Sequence, residues 1–475
     1  MRACSRQSIF VIIFTGIGFF SLITYSKAFL ELKLNEAPEI ILFNGDIITM
    51  DDTSPLVEAL AIKGDLIIGT GNKSEIFELK DSNTRLIDLQ GKVVIPGFID
   101  AHSHWIGDRG MTNQTEFDEV MDTLLVNGWT SINELFVNQE RLDELQSMDA
   151  ADRLKVRVNA YLPLSWQFER FGDWYQAYEP GYEYSSMLRI AGVKFFMDGW
   201  IREPILYFNQ SELEELFQEA HNLGFQIAIH SMVTNATDIV LNAFETVLAN
   251  QDNILRHRIE HLVLLRDDQI ENMANLGILG CIQFPWFNSD WNDYINETDI
   301  HIPFLSRWRD LLDAGIHVMG STDYPYTLHD TQSPIIAISM VMTRIGVKGG
   351  SPTNWMLNQT ISAEGALRLL TIDAAYGTFQ EDVKGSLEEG KYADLVVLSE
   401  NPLTIPEGEI VDIKVLMTMV GGNVKYTADN FETECVNLSS SNFETSSSIN
   451  SSATTISVIV PLVALIALVY KKKEI

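Results

Sequence analysis

Short apolar runs with tight turns open the pattern. Between residues 39 and 89 the segments EIILFNGDIITM, ALAIKGDLIIGTG and TRLIDLQGKVVIPG read as strands, and Asn44-Gly45 and Lys63-Gly64-Asp65 supply hairpin signals. The same texture returns near the end, in GKYADLVVLS and IKVLMTMVGGNVKY. These all-β pieces flank a long stretch of different character and could form one small domain from both ends. In that stretch strands alternate with helices. Strand candidates fall at 93–104, 130–136, 155–162, 192–197, 225–230, 258–264, 278–284 and 317–323. Helical spacing fills the gaps, as in SELEELFQEAHNLG, where Gly224 after Leu223 is a C-cap signal. Alternation of strand and helix predicts a parallel sheet, and eight strands predict a closed barrel. The expected fold class is α/β, a (β/α)8 TIM-type barrel over 93–383.

The two ends read differently. Arg2 and Arg6 precede an apolar run at 9–25, and Ser26-Lys27-Ala28 places small residues where a signal peptidase cuts. Residues 1–28 are thus expected to be a signal peptide or an N-terminal anchor. Residues 431–455 form a Ser/Thr/Asn-rich stalk, and 456–470 are almost wholly apolar with no polar face. Lys471, Lys472 and Lys473 follow, and positive charge stays on the cytoplasmic side. The pattern predicts a transmembrane anchor at 456–470, a cytoplasmic tail at 471–475, and a catalytic domain that is extracytoplasmic, at the cell surface or in a lumen. Eight Asn-x-Ser/Thr sequons, at Asn72, Asn113, Asn209, Asn235, Asn296, Asn358, Asn437 and Asn450, agree with a secreted glycoprotein. Asn235 is the poorest glycan acceptor, since with Asp238 three residues on it is expected to cap a helix.

Charge and cysteine content narrow the partners. A formal net charge of -32 repels phosphate backbones, which argues against a nucleic-acid partner. Cys4, Cys281 and Cys435 have neither metal-ligand spacing nor a disulfide framework, so Cys281 and Cys435 are expected to be free thiols.

Candidate chemistry gathers at the predicted strand ends. His102 and His104 end the first barrel strand, and alternation puts both on one face. His230 ends the fifth strand, His261 lies near the end of the sixth, and Asp323 ends the eighth. In a barrel all these ends meet at one mouth. Four imidazoles and a carboxylate suit a divalent metal, zinc or a similar first-row ion. Lys194 lies inside the apolar segment AGVKFFMDG. It either reaches the barrel rim or pairs with Asp198, or it is desolvated into a neutral amine that takes up CO₂. The resulting carbamylated Lys194 could bridge two ions. Trp105, Trp166, Trp200 and Trp286 fall in predicted loops beyond strand ends, where they could wall an apolar or aromatic substrate pocket or simply pack on the rim. Arg202 could hold a substrate carboxylate or pair on the surface. His221, His257, His301, His317 and His329 are not expected to be ligands.

The ordered motifs VVIPGFIDAHSHW, VKFFMDG, QIAIHS, HRIEHLVLL, GSTDYP and KGSLEEGKYADLVVLSENPL resemble the amidohydrolase superfamily. The nearest branch is amidohydrolase family 3, the group similar to N-substituted formamide deformylase and YtcJ-like proteins, and the likeness runs over about 39–426. It implies metal ligation by His102, His104, Lys194, His230, His261 and Asp323, with one or two ions. It also implies that the flanking β segments, 36–92 and 384–430, pair into one β-sandwich domain. The function it implies is a metal-dependent hydrolase acting on non-peptide carbon–nitrogen bonds of the N-acyl amide or cyclic amide type. Metal-activated hydroxide would attack, with Asp323 as catalytic acid and base. The substrate is a small molecule. Two rivals remain open: a mononuclear-metal deaminase of the same fold, and a catalytically inactive surface binding protein.

Overall fold

The computed structural model describes residues 36–107, 114–199, 205–286, 304–327, 332–346, 349, 352–429 and 431. Five strands come first: β1 (Ile40–Ile48), β2 (Leu56–Lys63), β3 (Leu66–Gly71), β4 (Arg85–Asp88) and β5 (Val93–Pro96). Next come β6 (Phe98–Ser103), β7 (Trp129–Glu134) and β8 (Arg157–Pro163), then a small hairpin of β9 (Ser165–Trp166) and β10 (Glu169–Arg170). They are followed by β11 (Leu188–Phe196), β12 (Gln226–Ser231), β13 (Arg258–His261), β14 (Leu279–Gln283) and β15 (Val318–Ser321). Last are β16 (Leu395–Leu398), β17 (Val415–Val420) and β18 (Asn423–Thr427).

The chain is a (β/α)8 barrel with an additional sheet domain. The barrel order is β6-β7-β8-β11-β12-β13-β14-β15, with every neighbouring pair parallel. The edges β6 and β15 meet at the mouth, where the Asp323 N–H donates to His102 O (2.9 Å) and the His104 N–H to Tyr324 O (2.8 Å). The Asp100 carboxylate fastens the same seam by accepting from the Thr322 N–H at 2.9 Å and the Thr322 hydroxyl at 2.5 Å. One connection departs from the ideal. Between β8 and β11 the chain makes the β9–β10 hairpin and a 3-10 turn, Trp174–Ala177, in place of an α-helix.

Alternation explains the barrel wall. In β11, Val193 and Phe195 face outward, and Phe195 meets Phe217 of the helix Gln210–Asn222 with ring centroids 5.5 Å apart. Lys194 therefore points inward. In β8, Arg157, Asn159 and Tyr161 alternate with Val158, Ala160 and Leu162, and only the second set joins the barrel–helix core.

The second sheet takes β1–β5 from one flank and β16–β18 from the other, in the order β18-β17-β16-β5-β1-β2-β3 with β4 also on β1. Leu42, Leu60, Ile67, Ile87, Val94, Val397 and Met417 share one core, and Ile41, Phe43, Ala59, Ala61, Ile68 and Leu86 of the alternate positions share a second.

Sequence and structure differ at three local points. Asn44-Gly45 makes no hairpin; β1 runs through it with a bulge, and Asn44 takes φ 63°. A side chain at Gly45 would meet Lys92 O at 2.2 Å, so this close backbone approach requires glycine. The expected strand 93–104 splits at Gly97 into β5 of the second sheet and β6 of the barrel. Asn235 does not cap the helix Thr234–Leu248: the N-cap is Val233, whose N–H donates to the Asp198 carboxylate at 2.9 Å.

The expectation of a membrane-anchored, extracytoplasmic protein is corrected. No helix among the described residues is long and apolar enough to cross a membrane. The longest, Thr234–Leu248, has 15 residues, about 22 Å of rise against roughly 30 Å of hydrocarbon. The segments that carried the expectation, 1–28, 431–455 and 456–475, lie outside the described residues except for Phe431.

Candidate metal centre and substrate pocket

His102 ends β6 fully buried, and His104 follows two residues on, nearly so. Asp323 lies just past β15. Donor atoms of His102, His104 and Asp323 all fall within 4.8 Å of one another. Asp323 Oδ1 is 3.3 Å from His102 Nε2 and 3.5 Å from His104 Nε2. His261 joins through its ring, 4.8 Å from the His102 ring and 4.3 Å from that of His230.

Two of these residues sit on strained backbone. His261 has φ 77° and Asp323 φ 55°, in the left-handed region that L side chains rarely adopt. At β13 the effect is visible: Glu260 and His261 are consecutive, yet both face the interior. The turn of the chain at His261 breaks the alternation and brings its imidazole over the mouth.

Three of the four imidazoles have an acceptor behind them. His102 Nδ1 is 2.6 Å from Glu260 Oε2, and His261 Nδ1 is 2.8 Å from Gln283 Oε1. His230 Nε2 lies 3.3 Å from both Gly199 O and Asp198 Oδ1. An acceptor takes the ring N–H and leaves the other nitrogen as a bare lone pair. His102 and His261 then offer Nε2, and His230 offers Nδ1. Burial, with the Lys194 charge second, holds His104 and His230 down to about 3. Burial also holds His102 and His261 well below the ordinary histidine range. All four are neutral, the form that binds metal.

Lys194 is fully buried, and its Nζ has no hydrogen-bond partner among the described residues. The Phe196 ring centroid is 4.7 Å away. Desolvation draws the amine down to about 8, against the opposing pull of Glu260 and Asp323. An amine so placed is either waiting for a ligand or a modification, or is a costly fault. The His102 Nε2 is a second buried polar atom without a hydrogen bond. Nitrogen and carboxylate donors with those two orphaned atoms fit a divalent ion.

Above the donors lies a cavity of about 220 Å³. Its apolar wall is Trp166, Phe196, Tyr207, Met232 and Tyr326, and His104, Asp198, His230, His261 and Asp323 face it from below. Trp166 packs on Phe196 with ring centroids 4.7 Å apart. Trp105 is buried behind the site, its indole N–H on Asp100 Oδ2 at 3.1 Å and its ring 4.0 Å from that of Tyr324. Trp286 ends the short turn Phe284–Trp286, and its side chain lies outside the described set, as do Trp200 and Arg202. His257 and His221 bond each other at 2.9 Å, away from the mouth, and Cys281 is buried and free.

Sequence reasoning missed Glu260 and Gln283, and it considered Asp198 only as a partner of Lys194, whereas Asp198 lies against His230. Glu260 had a signal: it stands two residues from Arg258, so alternation puts both charges inside the barrel. Burial raises the Asp198 carboxyl to about 7, although it accepts N–H groups from Met232 and Val233.

Residues 110–426 match the model of the Amidohydrolase family. The N-substituted formamide deformylase of Arthrobacter pascens is 31% identical over 262 residues, covering 51% of this chain and 46% of that protein. The chain thus spans under half the length of that curated relative. An uncharacterized metal-dependent hydrolase from Pyrococcus horikoshii superposes with a TM-score of 0.66 at 21% identity, covering 78% of this chain and 99% of the other. Atrazine chlorohydrolase from Arthrobacter aurescens, solved with zinc, gives 0.56 at 18% identity, covering 81% and 94%. At such identities the likeness is one of fold.

Proposed function

The chain belongs to the amidohydrolase family, and from that premise we propose that it hydrolyses the carbon–nitrogen bond of an N-acyl amine whose substituent is apolar or aromatic. One or two divalent ions, zinc by the donor chemistry, would be held by His102, His104, Lys194, His230, His261 and Asp323. The observation that carries this reading is the buried cluster of His102, His104 and Asp323 beside an unbonded Lys194 amine. The deformylase relative, by its name, supports an N-acyl substrate.

An ion bound there supplies Lewis acidity and a water that ionises near neutral pH. The rest falls to the protein. Asp323 accepts the proton of the attacking water and returns it to the leaving nitrogen, which departs poorly as an anion. Trp166, Phe196, Tyr207 and Tyr326 exclude water and hold the substituent. Lys194, as a neutral amine, adds to CO₂: its nitrogen forms the new C–N bond, one C=O π pair moves onto oxygen, one nitrogen proton leaves, and the carbamate anion that remains would balance the charge of a second ion.

The test is amine release from N-formyl and N-acetyl arylalkylamines, with cyclic amides and amino-substituted heterocycles alongside. Release that stops with a chelator and returns with zinc is expected. Ammonia from the heterocycles, with no cleavage of the amides, would turn the reading to the mononuclear deaminase.

A further inference from the structure

We propose that Arg258 and Glu260 are a positioning pair that holds His102 with its proton on Nδ1 and thereby sets the affinity of the centre for its metal. The inference rests on reading His102 as a ligand.

Glu260 Oε2 lies 2.6 Å from His102 Nδ1. A carboxylate has no proton to give, so the ring N–H must point at it. Glu260 cannot turn away, because Arg258 holds both its oxygens: Nε to Oε1 at 2.5 Å and Nη2 to Oε2 at 2.8 Å. Arg258 Nη2 also donates to Ala101 O at 2.7 Å, the carbonyl just before His102. The pair thus grips the side chain and the backbone of the same residue. Every side chain in this chain of contacts is fully buried.

Two further points argue for function over stability. A buried ion pair is a weak stabiliser, since desolvating two charges cancels most of their attraction, and apolar residues of similar volume commonly serve as well or better. A pair kept in the barrel centre therefore needs another reason. The far side of the ring supplies it. With the proton on Nδ1, the Nε2 lone pair faces Asp323 Oδ1 at 3.3 Å. Two electron-rich atoms at that distance repel unless a cation lies between them. Glu260 thus aims the lone pair at the place where positive charge is needed, and its own charge makes that nitrogen a better donor.

Removing one charge alone would orphan the other, so the variants are double. Arg258→Met with Glu260→Gln keeps an acceptor oxygen but no charge. Arg258→Met with Glu260→Leu keeps neither. Zinc affinity is measured by competition with a chromophoric chelator, and circular dichroism and melting of the metal-free proteins check the fold. The Met/Leu variant is expected to bind zinc about 10–100-fold more weakly than the parent, with Met/Gln in between and metal-free spectra unchanged. A folded Met/Leu variant that binds zinc as tightly as the parent overturns the inference while leaving His102 a ligand. A parent that binds no zinc sinks the ligand reading instead. If neither variant folds, nitrogen-15 spectra of the metal-free parent decide, with His102 assigned by its Ala variant: a proton on Nδ1 supports the pair, and a proton on Nε2 overturns it.

Discussion

At Lys194 the chain pays for burying an amine and gives it no hydrogen bond. Lys194→Ala is expected to lose at least about 100-fold in turnover, in line with the removal of a group that supports the metal, and to bind less metal by elemental analysis. Formate or acetate should restore part of both by filling the vacated space, while Lys194→Arg, which still fills it and cannot take up CO₂, should not be rescued. Rescue of neither property by any short acid would leave Lys194 a structural residue. Asp323→Asn should keep most of the metal and lose about 10²–10⁴-fold in turnover, because an amide oxygen can ligate but cannot shuttle a proton. Near-parental turnover in that variant would remove Asp323 from acid–base work. Asp323 was legible as a polar group at the end of an apolar strand, and Lys194 as a charge inside one. Gln283 was not, since a lone polar residue inside a strand can equally face solvent, and Glu260 had only its spacing from Arg258 as a signal. Nor could the sequence show that His261 breaks alternation, because positive φ at a histidine leaves no compositional mark.

The eight barrel strands were legible as elements, since each is a short apolar run bounded by a helix signal. Their borders were less so. Gly97 lies in a continuous apolar run, and only the packing shows why the chain divides there: a side chain would lie 2.2 Å from Thr130 Oγ1 of β7. Gly97→Ala is expected to cost about 1–3 kcal/mol by overpacking, read as a lower denaturant midpoint with the slope unchanged. An unchanged midpoint would show that Thr130 can move aside. Asn44-Gly45 misled because the pair serves bulges as well as turns. The β9–β10 hairpin, too short for a periodic signal, brings Trp166 to the pocket wall. Trp166→Ala should raise KM for arylalkyl amides about tenfold and leave kcat within a few-fold, since a wall that binds substrate and transition state alike acts on KM. An equal change for methyl and arylalkyl substrates would argue against a wall for the substituent.

On the scale of the molecule, the union of barrel and second sheet depends on contacts between distant parts of the chain. Arg157 of β8 holds Asp394, just before β16, through Nε at 2.7 Å and Nη2 at 2.9 Å, and its guanidinium lies 3.8 Å above the Tyr392 ring. Arg157→Met should destabilise the fold by about 3–5 kcal/mol, because it strands a buried carboxylate. A melting curve like the parent's would show the pair to be dispensable. The likeness of both flanks to strands was readable; that they pair into one β-sandwich domain was implied by resemblance, not by periodicity. The expectation of a membrane anchor came from the ends alone, and nothing in the described chain supports it.

The claim on which the rest depends is that this barrel mouth holds a metal. Elemental analysis of the full chain, purified, loaded with zinc and dialysed, tests it most directly when read beside a His102→Ala/His230→Ala variant. The account predicts at least one tightly held ion per chain in the parent and a loss of bound ion in the variant. A parent that retains no metal after loading, while folded, would contradict it.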